Sequence, residues 1–283
     1  MKIPSLMRKA GAFLIVSLAV FYAAQPAAEA STAEDWFTQL YDAYEGLAGD
    51  QPEAAAATTP EPATVPTGSS SANPSDARVE NRVMTTGTVL TIDGFEFIAS
   101  SSEGYAVITK YVGTAGDLIV PATLNGYPVE YIGDGAFSYC YSLTTLKLPD
   151  TVVGLGNSAF FGCMNLKEIT LPAGIVNTGA SLFLYCQSLQ RVDLPPELTT
   201  VKFGLFEQCQ SLQTIIIPDK VTSIEELAFH NCVNLKEVTI PRSVLNIAED
   251  AFSSCPQATL RAFEGSFAQQ YATQKGIPCT IIQ

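Results

Sequence analysis

Residues 159–172 read AFFGCMNLKEITLP and residues 228–241 read AFHNCVNLKEVTIP. The two segments agree at Ala, Phe, Cys, Asn, Leu, Lys, Glu, Thr and Pro, and differ where a surface is free to vary. The same letters return throughout the second half of the chain. Cys140, Cys163, Cys186, Cys209, Cys232 and Cys255 are spaced by 23 residues, and so are Phe137, Phe160, Phe183, Phe206, Phe229 and Phe252. Leu143, Leu166, Leu189, Leu212 and Leu235 follow the cysteines by three residues, and Pro149, Pro172, Pro195, Pro218 and Pro241 stand six further on. Several columns in phase define an array of like units, none able to bury its apolar face alone and each completed by its neighbours.

Each unit reads as one coil. In LTTLKLP (143–149), Leu146 and Leu148 alternate with Thr145 and Lys147, so a short strand turns its leucines inward and stops at Pro149. LKEITLP, LQRVDLP, LQTIIIP and LKEVTIP repeat the pattern. A second extended stretch follows at Val152, Ile175, Leu198, Val221 and Val244, with Leu155, Thr178, Val201, Ile224 and Ile247 three residues on. Thr178 is the polar exception in that column. In A/L-F-x-x-C-x-x-L, the three-residue spacing of Phe, Cys and Leu predicts about one turn of helix at the corner. Parallel stacking at about 4.8 Å per coil makes the array roughly 25–30 Å long.

The pattern C-x-x-L-x-x-L/I/V-x-L/I-P, followed by the Val and Ile columns and by AF-x-x-C, resembles the BspA-type leucine-rich repeat of bacterial surface and secreted proteins. The resemblance runs over about residues 112–283. It implies an α/β leucine-rich-repeat solenoid of short parallel strands with helical-turn corners, about six 23-residue repeats, a β-hairpin N-terminal cap and a helical C-terminal cap. It also implies a protein ligand and a role in adhesion to host or matrix proteins, or to other cells; this is inference by analogy. DLIVPATLNGYPVEYIGDGAFSYC looks like the family's variant opening coil. Pro121 lies 16 residues before Phe137 whereas Pro149 lies 11 before Phe160, which places five extra residues in the NGYP loop.

The ends of the array carry their own signatures. VLTIDGFEFIA and YAVITKYV alternate and predict hairpins over the open N-terminal edge, which would otherwise template aggregation. At the far end Ala258 stands in the Leu column and Glu264 in the Pro column. Ser266 to Gln269 fits a capping box and Gly276 a helix stop, predicting a capping helix with Phe267 and Tyr271 turned inward and CTIIQ as a closing strand. The expected divisions are a signal peptide at 1–30, an aromatic helix and linker at 31–83, the N-terminal β cap and variant coil at 84–135, the repeats at 136–258 and the C-terminal cap at 259–283.

The leader reads as processing and docking sequence. Lys2, Arg8 and Lys9 precede an apolar run from Ala10 to Ala24, and Ala28-Glu29-Ala30 offers small residues for cleavage before Ser31. The run falls short of the roughly 20 residues of a span, which favours export over a retained anchor and leaves no stable membrane insertion after cleavage. Trp36, Leu40 and Tyr44, four apart, give residues 32–47 an aromatic helical face suited to a partner. The Ala/Pro/Thr/Ser-rich stretch after it has too few apolar residues to offset the entropy of ordering. Of the chain's net charge of −13, the leader is the most acidic part: nine acids against Arg78 make residues 31–80 −8. That balance argues against nucleic acid as a partner.

No catalytic, cofactor-binding or metal-binding residue stands out, and the chain is not expected to be an enzyme. Zinc needs ligands converging on a point, whereas a cysteine column presents a line. In-register thiols lie slightly beyond bridging distance, so buried free thiols with weak S–H donors are favoured over disulfides, with Cys279 outside the column least determined. His230 shares a column with Ser138, Phe161, Leu184, Glu207 and Ser253 and reads as a variable surface place. G-x-S-x-G, H-E-x-x-H and phosphate-cradling glycine loops are all missing.

What remains is surface for a protein ligand. The outward strand positions Thr145, Lys147, Glu168, Thr170, Arg191, Asp193, Thr214, Ile216, Glu237 and Thr239 are polar and mixed in sign. The corner ridge carries Tyr139, Tyr141, Phe161, Met164, Leu184 and Tyr185 in its first three coils, with Glu207, Gln208, Gln210, His230 and Asn231 in the later ones. Two readings stand for this ridge: a contact site, or a face covered by the leader helix or the N-terminal cap. Function divides likewise between a secreted or surface-associated adhesion module and a spacer or assembly piece engaged through Trp36, Leu40 and Tyr44.

Overall fold

The computed structural model describes residues 88–283; the expected signal peptide, and the leader with Trp36, Leu40 and Tyr44, lie outside the described residues. The alternating segments form strands where alternation requires them. Thr145–Lys147, Glu168–Thr170 and Arg191–Asp193 pair in parallel, and Asp117–Ile119 adds a rung before them. Thr145 faces Glu168 and Glu168 faces Arg191, so the register equals the sequence period and coil stacks on coil without slip. Thr214–Ile216, Glu237–Thr239, Thr259–Phe263 and Cys279–Ile282 make a second four-stranded parallel ladder. The middle residues Leu146, Ile169, Val192, Ile215 and Val238 are buried while their neighbours face out.

The return strands stack on the opposite side of each coil. Gly154–Leu155 pairs with Tyr127–Ile132, while Thr200–Val201, Ser223–Ile224 and Asn246–Ile247 pair with one another. Thr178 joins Leu155 by a single bridge and is buried with no hydrogen-bond partner for its Oγ1. A hydroxyl in an otherwise aliphatic column thus sits at the edge of the first return sheet.

The corners differ from the helical turn expected from the sequence. Each is a run of i→i−3 turns, such as Cys163 N–H to Phe160 O and Leu166 N–H to Cys163 O, interrupted by left-handed residues. Tyr139, Gly162, Tyr185, Gln208, Asn231 and Ser254 all have φ between 58° and 68°. The reversal turns alternate N–H groups toward the next coil. Phe137, Phe160, Phe183, Phe206 and Phe229 donate to the carbonyls of Ala159, Leu182, Leu205, Ala228 and Ala251 at 2.8–3.1 Å. A helix would have spent those donors inside its own turn; here they form a third ladder between coils.

Inside that ladder the phenylalanines stack. Ring centroids are 5.5 Å apart for Phe160–Phe183 and Phe183–Phe206, 5.4 Å for Phe206–Phe229 and 4.9 Å for Phe229–Phe252, with planes within 16° of parallel. Tyr111 of the N-terminal cap and Tyr271 of the C-terminal cap continue the column at 5.4 and 6.1 Å. Every repeat thiol donates to a carbonyl of the preceding coil: Cys163 to Phe137, Cys186 to Phe160, Cys209 to Phe183, Cys232 to Phe206 and Cys255 to Phe229, at 2.9–3.2 Å. Cys140 reaches Tyr111 O at 3.9 Å. The column therefore packs and hydrogen-bonds, and all seven cysteines of the described residues are free thiols.

Gly133, Gly156 and Gly179 form a column in which consecutive coils touch backbone to backbone. A Cβ on Gly179 would fall inside the carbonyl of Gly156 and the nitrogen of Asn157, which no rotamer change relieves. Lys202, Glu225 and Ala248 occupy the same column in later coils. Gly179→Ala is expected to destabilise by about 1–3 kcal/mol through forced separation of the coils. Lys202→Ala should stay within about 0.5 kcal/mol. Equal unfolding midpoints for the two variants in urea would contradict this reading of the contact.

Each end carries a cap. Val89–Ile92, Phe95–Ser100 and Tyr105–Tyr111 form an antiparallel meander turning through Asp93-Gly94, and Tyr105–Tyr111 pairs in parallel with Tyr127–Ile132 to merge the cap with the return ladder. The five extra residues are a tight hairpin, Thr123–Leu124 turning at Asn125-Gly126 (φ 50° and 82°) into Tyr127–Ile132. Helix α1, Phe267–Lys275, is capped by Ser266, whose side chain accepts the Gln269 N–H, and by left-handed Gly276. Phe267 does not turn inward as expected. It is 37 % exposed, and Ala268, Tyr271 and Ala272, spaced three and four apart, take the buried face. Among the described residues no helix is long and apolar enough to cross a membrane.

Candidate binding surface

The corner ridge is built by the residues that the third ladder points outward. Left-handed φ at Tyr139 and Tyr185 lifts their side chains off the core, while glycine at the equivalent place in the coil between them, Gly162, leaves room for the Tyr139 ring. Tyr139 meets Phe161 edge-to-face at 5.0 Å and Phe161 meets Tyr185 edge-to-face at 5.9 Å, both at 87°. Tyr141 lies 6.1 Å from Tyr139. Edge-to-face contacts of this kind hold large side chains in place without burying them completely.

The six candidate contact residues divide by depth. Tyr141 is 45 % exposed, and Tyr139, Phe161 and Met164 are half-buried. Leu184 and Tyr185, expected among the contacts, are only 9 % and 6 % exposed. Coils on both sides cover them, so they form the floor on which the outer four rest. Burial, with Glu207 nearby, pushes the Tyr185 hydroxyl up to about 12. The ridge is thus aromatic and uncharged over its first three coils.

The later coils carry a polar continuation that the sequence does not announce. His230, expected at a variable surface place, is 7 % exposed and its Nδ1 lies 2.7 Å from Ser253 Oγ; the Ser253 hydroxyl donates to the Asp250 carbonyl at 2.8 Å and so accepts from the imidazole. Desolvation lowers the pKa of the imidazole. Glu207 is 8 % exposed; burial first, and Asp250 second, push its carboxyl up to about 7. Gln208 accepts from both Asn231 and Gln210. Position in the coil is the missed clue: Glu207 shares its column with Leu184, and the two are buried alike.

The strand face is open and polar. Arg191 pairs with Asp193 at 3.2 Å and Arg261 with Glu237 at 3.7 Å, both well exposed and worth little in water. Ile216 and Ile119 stand out as single apolar residues. The buried thiols are unsuited to nucleophilic work, since desolvation raises Cys163, Cys186, Cys209 and Cys232 well above the ordinary range. Among the described residues no three His, Cys, Asp or Glu are placed to hold a metal ion.

Parallel rungs, return strands, stacked phenylalanines and capped ends define a leucine-rich-repeat solenoid. Residues 130–259 match the BspA type leucine rich repeat region in six copies, and this part of the chain is a BspA-type leucine-rich repeat. Solved structures agree. A leucine rich cell surface protein from Faecalibacterium prausnitzii A2-165 is 32 % identical with a TM-score of 0.51, over 62 % of this chain and 55 % of that one. A leucine-rich repeat protein from Bacteroides ovatus is 27 % identical with a TM-score of 0.54, over 61 % and 46 %. The T. pallidum leucine rich repeat protein is 24 % identical with a TM-score of 0.53, over 68 % and 98 %, and shares the fold. The chain thus spans nearly all of the T. pallidum protein and about half of the other two. Among curated proteins nothing matches.

Proposed function

We propose that this chain is an exported, non-catalytic binding module that uses its corner ridge to hold a protein on a cell surface or in the surrounding matrix. The ridge carries the reading: exposed Tyr141 and half-buried Tyr139, Phe161 and Met164, three of the four aromatic, rest together on a packed floor. The likeness to a cell surface protein supports a location outside the cell. No cofactor is needed for such a role, and the acidic chain disfavours nucleic acid.

Retention of the labelled full chain on immobilised matrix proteins and on intact cells tests the reading. The double variant Tyr141→Ala, Phe161→Ala is expected to lose at least about tenfold in retention, since a few central aromatic residues dominate such interfaces. Unchanged retention would remove the ridge from the binding surface. Loss on deleting residues 31–80, with the ridge variant unaffected, would favour the assembly role of the leader instead.

A further inference from the structure

We infer that Glu207 makes the ridge selective for a protein segment carrying a Lys or Arg beside aliphatic or aromatic residues; this rests on the ridge being the binding surface. Glu207 directly follows the aromatic floor in the stack, one coil beyond Leu184 and Tyr185, and its carbonyl accepts the Tyr185 N–H at 3.0 Å. More than nine-tenths of the residue is buried.

No cation of the described residues compensates it. The groups placed near the carboxyl are Tyr185, Cys209 and Asp250, and its Oε2, like the Ser181 hydroxyl, lies beside Gly204; His230 stands one coil on in the same column. Tyr185 and Cys209 are held protonated by burial, His230 is held neutral, and Asp250 repels. Five of the described basic residues pair elsewhere, Lys202 with Glu225, Lys220 with Glu197, Lys275 with Glu249, Arg191 with Asp193 and Arg261 with Glu237, and none of the others, Lys110, Lys147, Lys167, Lys236 and Arg242, is ion-paired to Glu207. A carboxyl in such a place is costly in the free protein and becomes favourable when a partner brings the opposite charge.

The surroundings specify the rest of the partner. A guanidinium or ammonium would reach Glu207 at the end of the aromatic floor, one coil beyond Leu184 and Tyr185. Its flanking residues would fall on Phe161, Met164 and Tyr141. An acidic or phosphorylated segment would be repelled both by Glu207 and by the chain's net charge of −13.

The test uses the full chain and a bead-displayed library of random octapeptides. Retained peptides are expected to be enriched in Lys or Arg adjacent to Leu, Ile, Phe, Tyr or Trp. One such peptide, resynthesised, should bind Glu207→Gln at least about tenfold more weakly, and replacing its basic residue by norleucine should cost the wild type as much and the variant nothing further. Affinity for the wild type should rise between pH 6 and pH 8, and for Glu207→Gln stay flat. A library without basic enrichment, or a Glu207→Gln effect below twofold, overturns the inference. If Phe161→Ala loses binding while Glu207→Gln does not, the ridge stands and the charge selectivity fails. If neither loses binding, the ridge itself fails.

Discussion

Phe183→Ala is expected to remove about 3–5 kcal/mol of stability and to lower the unfolding temperature by roughly 10 °C. Phe183 is fully buried and stacks on Phe160 and Phe206 at 5.5 Å on either side, with planes within 12°. Truncation leaves a void inside a column whose neighbours are held by backbone hydrogen bonds from Phe160 to Leu182 and from Phe183 to Leu205, so collapse is restricted. In a solenoid the loss falls on the interfaces to both adjacent coils, and the transition should broaden as the two halves uncouple. Phe203→Ala is the control, because that ring is well exposed and its loss should cost about 0.5 kcal/mol or less. Calorimetry that found equal melting temperatures for the two variants would refute the stacked core as the source of stability.

Glu207→Gln should stabilise the protein at neutral and alkaline pH and leave it unchanged in acid. The carboxyl has an ordinary value of 4.5 and is raised to about 7 by burial. A raised folded-state pKa means that the folded chain keeps a proton which the unfolded chain releases across that window. Stability of the wild type therefore declines as pH rises from about 4.5 to about 7 and stays low above it. Glutamine fills the same space without ionising. Its advantage should grow from near zero at pH 4 to at most about 3 kcal/mol at pH 8. Urea unfolding at the two pH values measures the difference; parallel curves for wild type and variant would show that the carboxyl is solvated after all.

These two residues mark how far the sequence could be read. Phe183 is legible because it recurs every 23 residues with cysteine and leucine in phase, and only stacking of like coils gives such a column a common burial. The strand register follows from the same period. Glu207 is not legible from its own letter, and only its place in the column of Leu184 points to its depth. The polar group Glu207, His230 and Ser253 comes together across three coils, and its burial depends on how wide the corner is.

The corners depart from the helical turn that their spacing implies. Phe, Cys and Leu at three-residue spacing satisfy a helical turn, yet Tyr139, Tyr185, Gln208 and Ser254 take left-handed conformations that their side chains do not favour, and Asn231 takes the same conformation, which its side chain tolerates. Local cost is offset by a ladder of inter-coil hydrogen bonds that no single coil can form. Phe267 shows the same limit at smaller scale: helix and caps were readable, but which face meets the last coil was not.

Period and capping residues dictate the repeat, the parallel strands, the thiol column, the capped ends and the likeness of residues 130–259 to the BspA-type repeats, since each is a pattern imposed by burial. The turn geometry of the corners, the sinking of Leu184 and Tyr185 beneath Phe161, and the burial of Glu207 and His230 arise only in the assembled stack. Those outcomes depend on contacts between neighbouring coils, and the depth of a side chain is a property of the stack rather than of the coil that carries it.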